Sequence, residues 1–92
     1  MLKKMKRAEL SKMCGINDRN WEKNKAEVYA YLGAIFKKVV IKKMARSSVV
    51  CTVEFKDGIK EVPKFNCREW RGIEQPENVT YEDLTELMSK KI

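Results

Sequence analysis

The chain has no histidine, and that absence closes several chemistries at once. It removes the usual general base, the Ser-His-Asp and Cys-His nucleophile systems, and zinc sites that mix cysteine with histidine. Cysteine is scarce as well. Cys14, Cys51 and Cys67 are three scattered thiols with no C-x-x-C pair. They cannot complete an all-cysteine tetrahedral site, and an odd count argues against a disulfide framework. All three read as small core hydrophobes. The four glycines, Gly15, Gly33, Gly58 and Gly72, stand alone, so no glycine-rich loop can cradle a phosphate. With only two prolines and 43% hydrophobic residues, the chain is too apolar and too poor in breakers for a disordered tail.

Long apolar runs are missing too. Val28 to Phe36, nine residues, is the longest uncharged apolar stretch, against roughly 20 for a bilayer span. The basic start, Met1 to Arg7, is not followed by the apolar core of a signal peptide. These exclusions lead to a single cytoplasmic domain over residues 1–92, with no catalytic set, no metal site, no cofactor and no membrane partner. Carboxylates and lysines remain chemically competent, so an enzyme is disfavoured rather than excluded.

What the chain does have is cationic charge, unevenly placed. The net charge is +7, but residues 1–46 carry 13 Lys or Arg against four acids, while residues 47–92 carry seven against nine. The whole excess therefore belongs to the first half. Such polarity is the electrostatic footprint of a protein that meets a polyanion. Lysine also solubilises ordinary helix surfaces, so the footprint alone does not decide the matter.

Hydrophobic periodicity places the elements. Leu2, Met5, Leu10 and Met13 share a stripe on a first helix from about Lys4 to Met13, stopped at Cys14-Gly15. A second helix opens at Asn17-Asp18, either of which can cap, and runs to about Phe36. Trp21, Val28, Leu32 and Ile35 form its buried face, widened by Tyr29 and Phe36. A short β-branched strand follows over Lys38 to Met44, then a turn at Ala45 to Ser48. Val49, Cys51, Val53 and Phe55 next alternate inward on a strand. Asp57-Gly58 signals a hairpin returning through Ile59 to Val62. A two-residue turn would set Glu54 against Glu61, whereas a three-residue loop would pair Glu54 with Lys60.

Residues 64–79 read as an irregular connection pinned by Phe65 and Trp70. Thr80 then caps a last helix, with Tyr81, Leu84, Leu87 and Met88 inward, acids Glu82, Asp83 and Glu86 early, and Lys90 and Lys91 late. The expected class is α+β: two N-terminal helices, a small antiparallel β-meander and a C-terminal helix. Two helices before a hairpin is the order of a winged helix-turn-helix, although the usual preceding helix is absent and the pattern is not specific.

On that expectation the roles follow. Lys3, Lys4, Lys6, Arg7, Lys37, Lys38, Lys42, Lys43 and Arg46 neutralise phosphates, while Arg19, Asn20, Lys23 and Asn24 approach base edges from the second helix. The aromatics Trp21, Tyr29, Phe65 and Trp70 belong to the core rather than to a stacking platform; Tyr31 falls off the stripe and is expected at the surface. The leading expectation is a non-enzymatic nucleic-acid binder, duplex DNA ahead of RNA, serving as a regulator or accessory factor of the kind phages and mobile elements carry. The alternative is a protein-binding module or inhibitor of a host enzyme or complex. It would use an exposed apolar patch near Tyr31, Trp70 or the last helix. Segregated charge is also compatible with a homodimer.

Overall fold

The computed structural model describes residues 2–44 and 48–83. In chain order these form strand β1 (Leu2–Lys6), helices α1 (Arg7–Cys14), α2 (Asp18–Lys23) and α3 (Lys25–Ile35), strands β2 (Phe36–Lys43) and β3 (Val49–Phe55), a 3-10 turn over Cys67–Trp70, and strand β4 (Val79–Asp83). The strands make one mixed sheet in the order β1-β3-β2-β4. β3 is antiparallel to both β1 and β2, and β4 runs parallel to β2. Helix α1 lies against β1 and β3, and α3 lies against β2 and β4.

This architecture corrects the expected one. The first helix begins three residues late, because Leu2–Lys6 is a strand. Met5 alternates inward against Cys51 of β3 and is buried, so pairing with β3 overrides the local helix pattern. Gly15 ends α1 as expected, in the left-handed region at φ 73°, with its N–H donating to the Ser11 carbonyl. The long second helix is two helices. Asn17 caps α2, its Oδ1 accepting from the Asn20 N–H at 2.8 Å, and the chain breaks at Asn24 (φ −118°, ψ 38°) before α3.

The hairpin return through Ile59 to Val62 is not a strand. Asp57-Gly58 does turn, with Gly58 at φ 84°, but both edges of β3 are already taken, one by β1 and the other by β2. A returning strand would have nothing to pair with. The meander is therefore replaced by a sheet built from both ends of the chain. The C-terminal helix is also overturned where it can be tested. Thr80, Tyr81, Glu82 and Asp83, expected as cap and first turn, form β4 and pair with Val40, Ile41, Lys42 and Lys43. The rest of that expected helix, from Leu84 onward, lies outside the described residues, as does the turn at 45–47.

The core fills one face of the sheet. Met5, Cys51, Val53, Val39, Ile41 and Val79 meet Leu10, Cys14, Trp21, Val28, Leu32 and Ile35 from the helices and Ile16 from the connection between α1 and α2. The expected α2–α3 face of Trp21, Val28, Leu32 and Ile35 is buried throughout. Tyr31 is not at the surface. It is 1% exposed, because the 63–70 segment folds over α3. The Tyr31 ring meets Phe65 and Trp70 edge-on at 5.4 and 5.8 Å, and its hydroxyl donates to the Pro63 carbonyl.

The α3–β2 junction sets the sheet's geometry. Asn78 Nδ2 donates to the carbonyls of Gly33, Phe36 and Lys37 at 2.9, 3.0 and 3.2 Å, two hydrogens shared among three acceptors. The Asn78 carbonyl in turn accepts from the Val39 N–H, which starts the β2–β4 pairing. Gly33 permits this approach, since a Cβ there would lie 2.5 Å from Pro76 Cβ and 2.9 Å from Asn78 Oδ1. Gly33→Ala should therefore cost about 1–3 kcal/mol, because neither the proline ring nor the clamp can move aside freely. Denaturant unfolding would measure it, and an alanine variant as stable as the native protein would contradict this account of the junction.

Burial also pushes the Cys51 thiol up to about 11 from an ordinary 9.0. The folded state thus holds that proton more tightly than the unfolded chain. The stability contribution is complete below pH 9 and is lost as pH rises toward 11. Thermal unfolding across that interval should show a decline that Cys51→Ala reduces.

Candidate nucleic-acid interface

Strand alternation sends every second side chain away from the helices. On β1, Lys4 and Lys6 flank the inward Met5; on β2, Lys38, Val40 and Lys42 interleave with the inward Val39 and Ile41. A register shift between Phe36 and Lys38 adds Lys37 to the same side, where its Nζ lies 3.6 Å from Glu54. β3 contributes Val50, Thr52 and Glu54, and β4 contributes Thr80 and Glu82. Among the described residues, this face therefore presents five ammonium groups against two carboxylates, and no described helix covers it.

The arrangement has a shape. Lys4 and Lys6 form one cationic rail and Lys38 and Lys42 another, two strand spacings or about 10 Å apart. Between them runs β3, whose short, uncharged Val50 and Thr52 make a trough. Glu54 closes one end. Toward the other end, Lys4, Lys42, Met44, Val50 and Thr52 line a depression of about 190 Å³. Lys42 is 3.9 Å from Glu82, whereas Lys4, Lys6 and Lys38 make no ion pair with any described residue.

The other expected phosphate ligands do not join this face. Lys3 and Lys43 have inward parity, opposite Val53 and Val49, and sit at the margins of the helix-covered side. Arg7 opens α1, with its guanidinium 5.7 Å from the Trp21 ring centre. Arg46 lies outside the described residues. Near Arg7, a second recess of about 270 Å³ is lined by Lys6, Ala8, Ser11, Asp18, Ser48 and Val49, where the Asp18 carboxylate offsets the cations.

No recognition helix exists for the expected base readers. Arg19, Asn20 and Lys23 lie on α2, which has six residues and is about 9 Å long. Asn24 is the break itself. Helix α3, which should have carried them into a groove, is buried at Val28, Ala30, Tyr31, Leu32, Gly33 and Ile35. It packs between the sheet and the 63–70 segment, so it cannot lie in a groove of DNA. The helix-turn-helix arrangement is excluded on geometry.

Several lysines serve the fold instead. Lys56 Nζ donates to the Ala34 carbonyl at the end of α3, at 2.7 Å, and Lys64 Nζ to the Met13 carbonyl near the end of α1, at 3.2 Å. Lys25 lies over the rings of Tyr81 and Tyr29, at 4.5 and 5.5 Å. Thr52, Val50 and Glu82 share the outward face with the lysines, although none of them was among the expected ligands. The signal for Val50 and Thr52 is the alternation of β3, where the inward Cys51 and Val53 leave them facing outward.

Among the described residues no group of acidic or thiol side chains is arranged to hold a metal, and no helix is long and apolar enough to cross a membrane. In comparisons with known proteins, no family model matches the chain, nor does any curated protein or solved structure.

Proposed function

We propose that the protein binds a nucleic-acid backbone on the open face of its sheet, without reading sequence. Duplex DNA is the preferred ligand. In this reading the protein is a regulator or accessory factor of the cytoplasm. The carrying observation is the pair of lysine rails flanking an uncharged trough. One sugar–phosphate strand fits along β3, with Lys4 and Lys6 on one side and Lys38 and Lys42 on the other. Attraction of this kind is carried by counterion release and depends on phosphates rather than on bases.

The composition of the face favours a duplex over a single strand. Non-specific binders of single strands add aromatic platforms on which bases stack. The outward positions of all four strands hold no aromatic side chain; the rings are on the helix-covered side. Lysine ammonium groups are point charges suited to phosphate oxygens. Recognition of A-form RNA leans on its 2′-hydroxyls, for which ammonium rails have no special fit. A blocker of a host protein ranks second, because it needs a continuous apolar patch. Among the described residues, the large exposed hydrophobics Leu2, Met44, Ile73 and Tyr81 lie on separate elements, and Tyr31 is buried.

Binding of a random-sequence duplex, measured at several salt concentrations, tests the reading. Affinity should fall linearly on a log–log plot by about 0.9 per phosphate neutralised. Lys6→Glu/Lys38→Glu should weaken binding and lower the slope by about 1.8. Arg19→Ala/Lys23→Ala, on the helical side, should leave both unchanged. Binding that ignores salt, or that depends on Arg19 and Lys23 rather than on the rails, would refute the proposal.

A further inference from the structure

We infer that the depression between Lys4 and Lys42 is a seat for one phosphate group, with the Thr52 hydroxyl as its hydrogen-bonding partner and Glu82 as a competing anion. For the source of that phosphate, a nucleic-acid backbone, the inference rests on the preceding reading. The seat itself does not.

Four features converge there. Lys4 is directly opposite Thr52 on β1, and Lys42 is directly opposite Val50 on β2, so the two ammonium groups approach the same stretch of β3 from both sides. Each four-carbon stem is long enough to lean over the short Val50 and Thr52 side chains. The floor is therefore low and the walls are cationic. The volume, about 190 Å³, accommodates a tetrahedral oxyanion with part of its hydration. Thr52 is half-buried on that floor, and its hydroxyl is the neutral polar group among the lining side chains.

Charge balance supplies the driving force. Two ammonium groups converging on one recess repel each other, and among the described residues the carboxylate within ion-pair distance of them is Glu82, at 3.9 Å from Lys42. Both members of that pair are half exposed, so it contributes little stability and yields to a stronger anion. A phosphate placed over Thr52 would draw both lysines and release Glu82. Lys4 has no carboxylate partner among the described residues and so needs no such exchange. Glu54, the other acid of this face, is held by Lys37 at the far end of the trough.

The test uses inorganic phosphate and then a duplex, at constant ionic strength. Backbone amide shifts should saturate with phosphate and centre on Lys4, Val50 and Thr52. Thr52→Val keeps the strand's shape and should weaken phosphate binding roughly two- to tenfold, the worth of one hydrogen bond. Glu82→Gln should tighten it by about two- to fivefold, the worth of an exposed ion pair. Shifts that spread evenly over the lysines without saturating would overturn the seat, and so would affinity indifferent to both substitutions. Saturable phosphate binding with no duplex binding would keep the seat, assign it to free phosphate and sink the nucleic-acid reading. Duplex binding unaffected by either substitution, together with no saturable phosphate binding, would sink the seat and leave that reading intact.

Discussion

The close approach of residues 76–78 to Gly33 governs how this chain folds. It is a steric and hydrogen-bonding constraint together. The missing Cβ admits Pro76, and the Asn78 amide then gathers the carbonyls of Gly33, Phe36 and Lys37 where the helix gives way to the strand. The Gly33 carbonyl is one of the orphan acceptors that a helix end leaves behind, and the Phe36 and Lys37 carbonyls open β2. Satisfying them from a distant segment fixes the start of β2, and the Val39 N–H to Asn78 carbonyl bond lays β4 alongside. Parallel pairing at one edge is thus dictated by a junction some forty residues earlier. The hairpin to β3 and the addition of β1 complete a sheet with one apolar side.

That same junction aims the charges. Phe36 must enter the core against Phe55, at 5.0 Å between ring centres, and Val39 must do so against Val53. Both can do so only if the strand takes an extra residue, and the register shift leaves Lys37 and Lys38 both facing outward. The aromatics are drawn to the other side by their packing: Tyr31 among Phe65 and Trp70, and Trp21 with its Nε1 donating to Ser11 Oγ at 2.6 Å. Segregation of rings from ammonium groups is a consequence of core formation. It is also what makes the open face suited to phosphates and ill suited to base stacking.

Much of the core was readable in the sequence, because its signals were periodic and local. The Trp21–Ile35 stripe, the alternation through Cys51 and Val53, and the Gly15 stop all reflect short-range geometry. What was not readable depended on partners distant in sequence. Lys3-Lys4-Met5-Lys6 fits a helix as well as a strand, and pairing with β3 decides between them. Thr80 to Asp83 carry a sound helix-start pattern, yet the vacant edge of β2 and the Asn78 clamp make them a strand. Tyr31 lies off the helical stripe, and only the return of Pro63 to Trp70 over α3 buries it. Of the expected phosphate ligands, Lys4, Lys6, Lys37, Lys38 and Lys42 meet on one face, although no local pattern could show that residues over 30 positions apart would do so.

Losing the recognition helix changes the kind of contact available, and with it the kind of specificity. Base readout needs a helix or ribbon that enters a groove with several side chains converging on base edges. In the proposed reading, a four-stranded face with lysine rails would rest on the outside of a backbone instead. Its affinity then scales with the number of phosphates met, and the carboxylates set an upper limit by competing for the same ammonium groups. Glu54 at one end of β3 and Glu82 beside Lys42 are placed to do this. Two acids among five lysines are too few to neutralise the face, but enough to shape it. In the proposed reading they would repel a phosphate track from the Glu54 end and leave the Val50–Thr52 stretch open to it. The contact proposed here would be loose, salt-sensitive and indifferent to sequence, which would suit a factor that acts along nucleic acid rather than at one address.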